Sequence, residues 1–492
     1  MPILSKIGIT RRPTLWLGAL GAVLAVILVG HVYAAAGGSD SSGYMNLARL
    51  LAHGHIRVAA RTLTGLNGKD FPDYLYTPLG FHPHGMTLTP TYPVGLPVMI
   101  AGSAVLFGWQ QAANVVIVLH ALAAVLLVCA IARELSLGWR GAFAACVCLA
   151  ASPLFLYYSV QNMSDVPALT WTCATAWAAL RARQKPMWAA LAGAAFSIAI
   201  LIRPTDILLA PALAIAWWPL LRPRTLYGIL GGLPLAVGLA LYSWHAYGSP
   251  WSTGYGDAAS LFRWANVGPS ALNYVKWLPL LFTPGVVLFL ILFRRPTWKA
   301  AFLAAWGTAF LFFYLWYFHT HEAWWYLRFV LPAAPALILG AIWVLRPITA
   351  AIRARDRALV AALAAILITD ISVAYAFHLP VLSSDQNERA YFETMSWVDQ
   401  HLSEESVLVC MQASGAAFYY TPCAVVRWDQ IERPQWDRIA QAAAQDHRPL
   451  YAVLFPFETA PALRGRTPGN WKPLANLRGI AVWQWAGPVP PP

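Results

Sequence analysis

Long apolar runs, rather than alternation, organise the first 380 residues. A helix crossing a hydrocarbon core of about 30 Å needs about 20 apolar residues. Runs of that kind occupy approximately 14–36, 110–132, 140–158, 166–182, 187–203, 205–221, 225–244, 277–294, 299–318, 325–346 and 357–378. The pattern predicts a polytopic α-helical membrane protein with about eleven transmembrane helices. The first run, Leu15 to Ala36, is longer than a signal-peptide core of about 7–15 residues, so it reads as a retained span.

Val94–Gly108 is apolar but short, and Pro97 and Gly102 interrupt it. Charge decides its status. With this segment non-spanning and the N-terminus inside, five basic clusters face the cytoplasm. These are Arg133/Arg140, Arg181/Arg183/Lys185, Arg222/Arg224, Arg294/Arg295/Lys299 and Arg346/Arg353/Arg355/Arg357. A full span there would turn every cluster outward, against the positive-inside rule. The segment is therefore expected to be half-inserted from the outer face, in a cell (inner) membrane protein with a cytoplasmic N-terminus.

Two polar regions break the apolar pattern. The first outer loop, 37–92, is too long for a plain connector. It opens with an amphipathic helix in which Tyr44, Leu47, Ala48 and Leu51 share a face, as in helices that lie in the membrane plane. From 381 to 492 no span occurs. β-like runs at Val407–Met411, Ala424–Trp428 and Tyr451–Phe455 alternate with helical patterns at Glu388–Leu402 and Gln435–Ala444. The expected organisation is a transmembrane domain, 1–380, followed by a small extracytoplasmic α/β domain, 381–492. The Pro-rich end, Pro488–Pro492, is expected to be disordered.

Composition agrees. Hydrophobic residues make up 59% of the 492, charged residues only 11%, and the mean hydropathy is +0.53. So few charges cannot cover a soluble domain of this size. The net charge of +13 does not point to nucleic acid, because the basic residues sit in short clusters between apolar runs and form no basic helix or stripe. The acidic residues 40, 70, 73, 165, 206, 257, 322 and 370 fall on or near the outer face, while only Glu134 and Asp356 fall inside. Acids contribute little to topology, so this asymmetry is independent of the topology argument and places the chemistry outside. Cys410 and Cys423 in the tail read equally as a disulfide or as two free thiols.

Five groups of residues could carry chemistry, and most have a plain structural alternative. Asp40, in Gly37-Gly38-Ser39-Asp40-Ser41-Ser42-Gly43-Tyr44 at the exit of the first span, can act as a general base or as a helix N-cap. Asp165, two residues before Pro167, reads either as a cap or as a second carboxylate; with Asp40 it could hold a divalent cation through oxygen ligands. His319, His321 and Glu322 lie in one outer loop. In an extended chain the two imidazoles point the same way, as a metal pair or phosphate clamp requires; the alternative is a polar interfacial loop. His82 and His84 form a weaker pair of the same kind. Arg203 and Arg328 stand near outer span ends, where guanidinium suits a lipid phosphate. Alternatively they pair with Asp206 and Glu322.

The order of these pieces resembles the GT-C superfamily of polyprenyl-phosphate-sugar-dependent glycosyltransferases, in the branch of protein O-mannosyltransferases and lipid A aminoarabinose transferases. Ser39-Asp40 with Tyr44 after the first span, Tyr92-Pro93-Val94-Gly95, Ser152-Pro153, Asp165-Val166-Pro167, Leu201-Ile202-Arg203-Pro204-Thr205 and Arg328-Phe329 followed by Leu331-Pro332-Ala333-Ala334-Pro335 carry the resemblance. It covers approximately residues 14–350. Val94 stands where that branch has a second Pro, and Asp40 lacks the adjacent acidic residue of many relatives. The resemblance implies a GT-C-like fold and an inverting transferase that moves a monosaccharide from a polyprenyl-phosphate carrier to a glycan, lipid or protein acceptor. It implies Asp40 and Asp165 at the catalytic centre and Arg203 or Arg328 on the carrier phosphate; beside it, Tyr44, His82, His84, His319, His321 and Glu322 are expected to line the substrates. The competing classes are a lipid or lipid-sugar transporter or flippase, and a non-catalytic envelope assembly protein.

Overall fold

The computed structural model describes residues 11–66, 71–219, 221–256, 258–351 and 378–488. The expected span 357–378, the basic residues Arg353, Arg355 and Arg357, and the acids Asp70, Asp257, Asp356 and Asp370 lie outside these. The chain is a predominantly helical membrane protein that divides into two compact units. One comprises residues 1–32, 114–239 and 257–383; the other comprises 33–113, 240–256 and 384–492.

Among the described residues, four helices are long and apolar enough to cross a bilayer unaided: Thr14–His31, Ala112–Glu134, Leu221–Tyr247 and Trp324–Arg346. Shorter apolar helices accompany them at Gly95–Phe107, Gly138–Ala151, Trp188–Ile202 and Pro204–Trp217. Two expected spans are interrupted, each where proline denies the backbone a continuous helix, and a third changes helix type. Residues 140–158 break at Ser152–Pro153, with Ser152 capping the following turn through Phe155 N–H. Residues 205–221 begin as a tighter 3₁₀ helix, Pro204–Leu209. Residues 277–294 are not one helix: Trp264–Phe282 and Pro284–Arg294 meet at 111° across Thr283, whose φ is 103°. The Gly95–Phe107 helix has 13 residues. That corresponds to about 20 Å, short of a hydrocarbon core.

The first unit packs one continuous apolar core, in which Phe155, Phe282, Phe302, Trp306 and Phe310 are fully buried. Trp306 Nε1 donates to the Pro332 carbonyl at 2.9 Å, so its indole buries no unmade hydrogen bond.

The second unit contains two sheets. β1 (Val58–Ala59), β2 (Phe81–His84) and β3 (Thr87–Pro90) form a small antiparallel sheet of order β1-β3-β2. β4 (Val407–Val409), β5 (Ala424–Val426), β6 (Leu450–Leu454), β7 (Trp471–Leu477) and β8 (Ile480–Trp485) form a mixed sheet of order β5-β4-β6-β8-β7. Its three parallel strands are buried on both faces and correspond to the three β-like runs in the sequence. The closing hairpin β7–β8 was not expected: β7 is mostly exposed, and β8 adds only a short run in which Ile480 and Val482 are buried. Cys410 and Cys423 are buried free thiols.

Candidate functional site

Asp40 lies in the first turn of the Ser39–Ala52 helix, where a carboxylate complements the positive end of the helix dipole. It is not the N-cap: that position is Gly38. Ser42 Oγ donates to the Gly38 carbonyl at 2.7 Å and tightens the turn. Tyr92 sits over the same turn, its hydroxyl 2.8 Å from Ser39 Oγ, with Asp40 as a further partner. Burial pushes the Tyr92 phenol well up, and the charge of Asp40 adds to the rise. Tyr92 also packs against Tyr44 at 5.0 Å and Tyr255 at 6.0 Å between ring centroids. The close fit needs glycine. A Cβ on Gly43 would strike the Tyr92 ring, and Gly80, at φ +90°, lies against the Cα of Gly43 and the carbonyl of Ser39.

The Ser39–Ala52 helix differs from the surface-lying helix expected. Residues Ser41 to Ala48 are all buried, the polar Asn46 included. The reason is the C-terminal segment of the same unit. Asn46 Nδ2 donates to the Gly415 carbonyl at 3.2 Å, and Arg49 Nη1 to that of Tyr419 at 2.7 Å. Glu388 comes to the same turn, its Oε2 3.4 Å from Ser41 Oγ. Burial raises its carboxyl to about 8; the Ser41 hydrogen bond opposes this and the charge of Asp40 adds to it. Sequence reasoning missed Glu388, because it lies on an ordinary amphipathic helix with no local motif. His82 and His84 share the exposed side of β2, as alternation requires, and His82 Nδ1 is 2.9 Å from Tyr74 Oη.

In the first unit, Asp165 is the first residue of the Asp165–Arg181 helix and is fully buried. Ser164, not Asp165, is the N-cap. Arg203 Nη1 lies 2.9 Å from Asp165 Oδ1, and Arg328 Nη1 lies 3.9 Å from Oδ2. The pairing is an ionic contact, since neither oxygen accepts a well-aligned hydrogen bond. Both guanidinium groups also lie within cation–π reach of Phe329, at 5.5 and 5.0 Å from its centroid. This corrects both expected local pairs. Asp206 accepts instead from Thr172 at 3.1 Å, and Glu322 pairs with His319 at 2.5 Å.

The loop carrying His319, His321 and Glu322 is not extended. Phe318–His321 form a 3₁₀ turn, so residues two apart diverge rather than point together. His319 stacks on Tyr326, while His321 contacts Phe318 edge-on. Among the described residues, no group of three or more His, Cys, Asp or Glu side chains is placed to hold a metal ion.

Residues 91–247 match the model of the family described as dolichyl-phosphate-mannose-protein mannosyltransferase (PMT_2). No curated protein sequence matches the chain significantly. Solved structures similar to it include ArnT from Cupriavidus metallidurans. The apo form has a TM-score of 0.64 at 16% identity, over 96% of this chain and 98% of that one. The form bound to undecaprenyl phosphate scores 0.62 at 16% identity, over 96% and 97%. The oligosaccharyltransferase AglB from Archaeoglobus fulgidus, in complex with an inhibitory peptide and a dolichol-phosphate, has a TM-score of 0.54 at 13% identity, over 97% and 75%. The arabinofuranosyltransferase AftD from Mycobacteria scores 0.57 at 14%, over 97% and 40%. Along almost its whole length, the chain has the fold of the GT-C glycosyltransferases.

Proposed function

We propose that the protein is an integral membrane glycosyltransferase that moves a monosaccharide from a polyprenyl-phosphate carrier to a glycan, lipid or protein acceptor. Asp40 takes the acceptor hydroxyl proton. The acceptor oxygen bonds to the anomeric carbon, the bond from that carbon to the phosphate oxygen breaks, and polyprenyl phosphate leaves. A single displacement of this kind inverts the anomeric centre. Arg203 and Arg328 neutralise the carrier phosphate, with Asp165 holding their guanidinium groups in place until the phosphate arrives. His319, His321 and Glu322 of the first unit, and Tyr44, His82 and His84 of the second, are proposed to line the substrates. A divalent cation is left as an optional ligand of the carboxylates.

The observation that carries this reading is the fold, shared over 96% of the chain with an ArnT structure that holds undecaprenyl phosphate. Asp40 supports it, standing half-buried in the first turn of a helix rather than spent as a cap. The experiment is in-vitro transfer from a polyprenyl-phosphate sugar by the purified chain, comparing it with Asp40→Asn and Asp165→Asn. Consumption of the lipid-linked sugar without net translocation separates transfer from transport. Full activity in Asp40→Asn removes the assigned base.

A further inference from the structure

The segment that carries Asp40 is held by side chains more than 340 positions away in sequence, all within one unit. Tyr420 Oη accepts from the Ala36 N–H at 3.0 Å. Gln412 Nε2 donates to Tyr391 Oη at 2.9 Å, and this pair lies against Gly38. Gly415 comes so close to Ser42 that a Cβ there would collide with its hydroxyl. Glu388, on the Ser384–His401 helix, completes the set. Its carboxyl fills the space that a Cβ on Gly37 would take and accepts from Ser41, the residue after Asp40.

We propose that Glu388 is a positioning residue for Asp40: its carboxyl fills the notch left by Gly37, holds Ser41, and so fixes the turn from which Asp40 acts. The proposal rests on Asp40 being the base. It gives the C-terminal segment a part in the chemistry.

A carboxyl next to a catalytic carboxylate is tolerable only when the two do not both carry charge. Burial supplies that condition, because it raises Glu388 to about 8 and keeps it protonated near neutrality. The titratable groups around it are Asp40 and Tyr33 from the N-terminal side. Tyr420 comes from the C-terminal segment and Tyr391 from its own helix, while Arg389, Glu393 and Arg478 act on the neighbouring Tyr33. As pH rises through the Glu388 titration, a second negative charge appears beside Asp40 and inside the turn, and repulsion between the two carboxylates displaces Asp40 even though the Ser41 hydrogen bond favours the charged form. A displacement of about 1 Å in a reacting group costs roughly a hundredfold in rate.

The test uses the full chain in detergent or nanodiscs, with a polyprenyl-phosphate sugar as donor and kcat and KM followed from neutral to alkaline pH. Glu388→Ala is expected to lower kcat roughly tenfold to a hundredfold, with donor KM little changed. Glu388→Gln, neutral and of the same shape, is expected to keep most of the kcat and to lose the alkaline decline of the unaltered protein. Should Glu388→Ala fold poorly, the pH profile of Glu388→Gln decides alone. A Glu388→Gln profile that retains the alkaline decline, or a folded Glu388→Ala with unchanged kcat, overturns the proposal while an inactive Asp40→Asn leaves the base in place. An active Asp40→Asn instead overturns the base assignment beneath it.

Discussion

Arg203 Nη1 stands 2.9 Å from Asp165 Oδ1, joining the residue that ends the Trp188–Ile202 helix to the one that begins Asp165–Arg181. The carboxylate is fully buried and Arg203 only slightly exposed, so water screens the pair little. Breaking such a pair by removing one member strands the other charge and costs about 3–5 kcal/mol. Asp165→Ala is therefore expected to lower the thermal unfolding midpoint clearly, because it removes the buried carboxylate that both Arg203 and Arg328 contact. Asp165→Ala with Arg203→Met together is expected to recover part of the loss. Thermal unfolding in detergent, as a double-mutant cycle, measures it; additive effects would contradict the coupling.

The glycines beneath Tyr92 give a second expectation. Gly80 has φ +90°, and a Cβ added there would stand 2.8 Å from the Gly43 Cα, so alanine meets both strain and overlap. Strain of this kind costs of order 1–3 kcal/mol before any overlap. Gly80→Ala is expected to lower both the unfolding midpoint and transfer activity, because the displaced element is the turn bearing Asp40. Gly85→Ala is the control: it is left-handed too, at φ +60°, but has open space around it, and should cost stability without touching activity.

Stability should also depend on pH through Glu388. Its folded carboxyl titrates at about 8 against an ordinary value of 4.5, so the folded state holds the proton more tightly. The stabilisation is fully present below the unfolded value and is lost as pH rises through the folded one. The unfolding midpoint of the intact chain should fall between about 4.5 and 8, and Glu388→Gln should flatten this part of the curve. Unfolding midpoints across this pH range provide the check; parallel curves would contradict the account.

The half-exposed 319–322 loop behaves differently. His319 and Glu322 keep about a third of their side-chain surface exposed, at 32% and 34%. Exposed pairs contribute at most about 1 kcal/mol. His319→Ala should leave the unfolding midpoint nearly unchanged while raising the donor KM. An unchanged KM would remove the loop from carrier binding.

What was legible in the sequence follows from the range of the forces involved. The membrane class, the helical fold and the three parallel strands of the tail are set by apolar runs, and these are local. Asp40 and Asp165 were visible because each stands beside a helix start. Their partners were not. Local spacing suggested Asp206 for Arg203, yet the contact that forms is with Asp165, 38 positions earlier, because two helix ends meet in space. Glu388 gave no signal, since its significance comes from tertiary contact with Gly37 and Ser41. The breaks at Pro153 and Pro284 escaped the length criterion, because hydropathy averages over proline.

The central claim is that Asp40 is the base of a lipid-linked sugar transfer. The most direct measurement is the turnover of a polyprenyl-phosphate sugar by the purified chain and by Asp40→Asn, with folding verified by equal unfolding midpoints. The expected result is release of polyprenyl phosphate by the unaltered chain and a loss of roughly 10²–10⁴-fold in Asp40→Asn. Equal turnover by the two proteins would contradict the account.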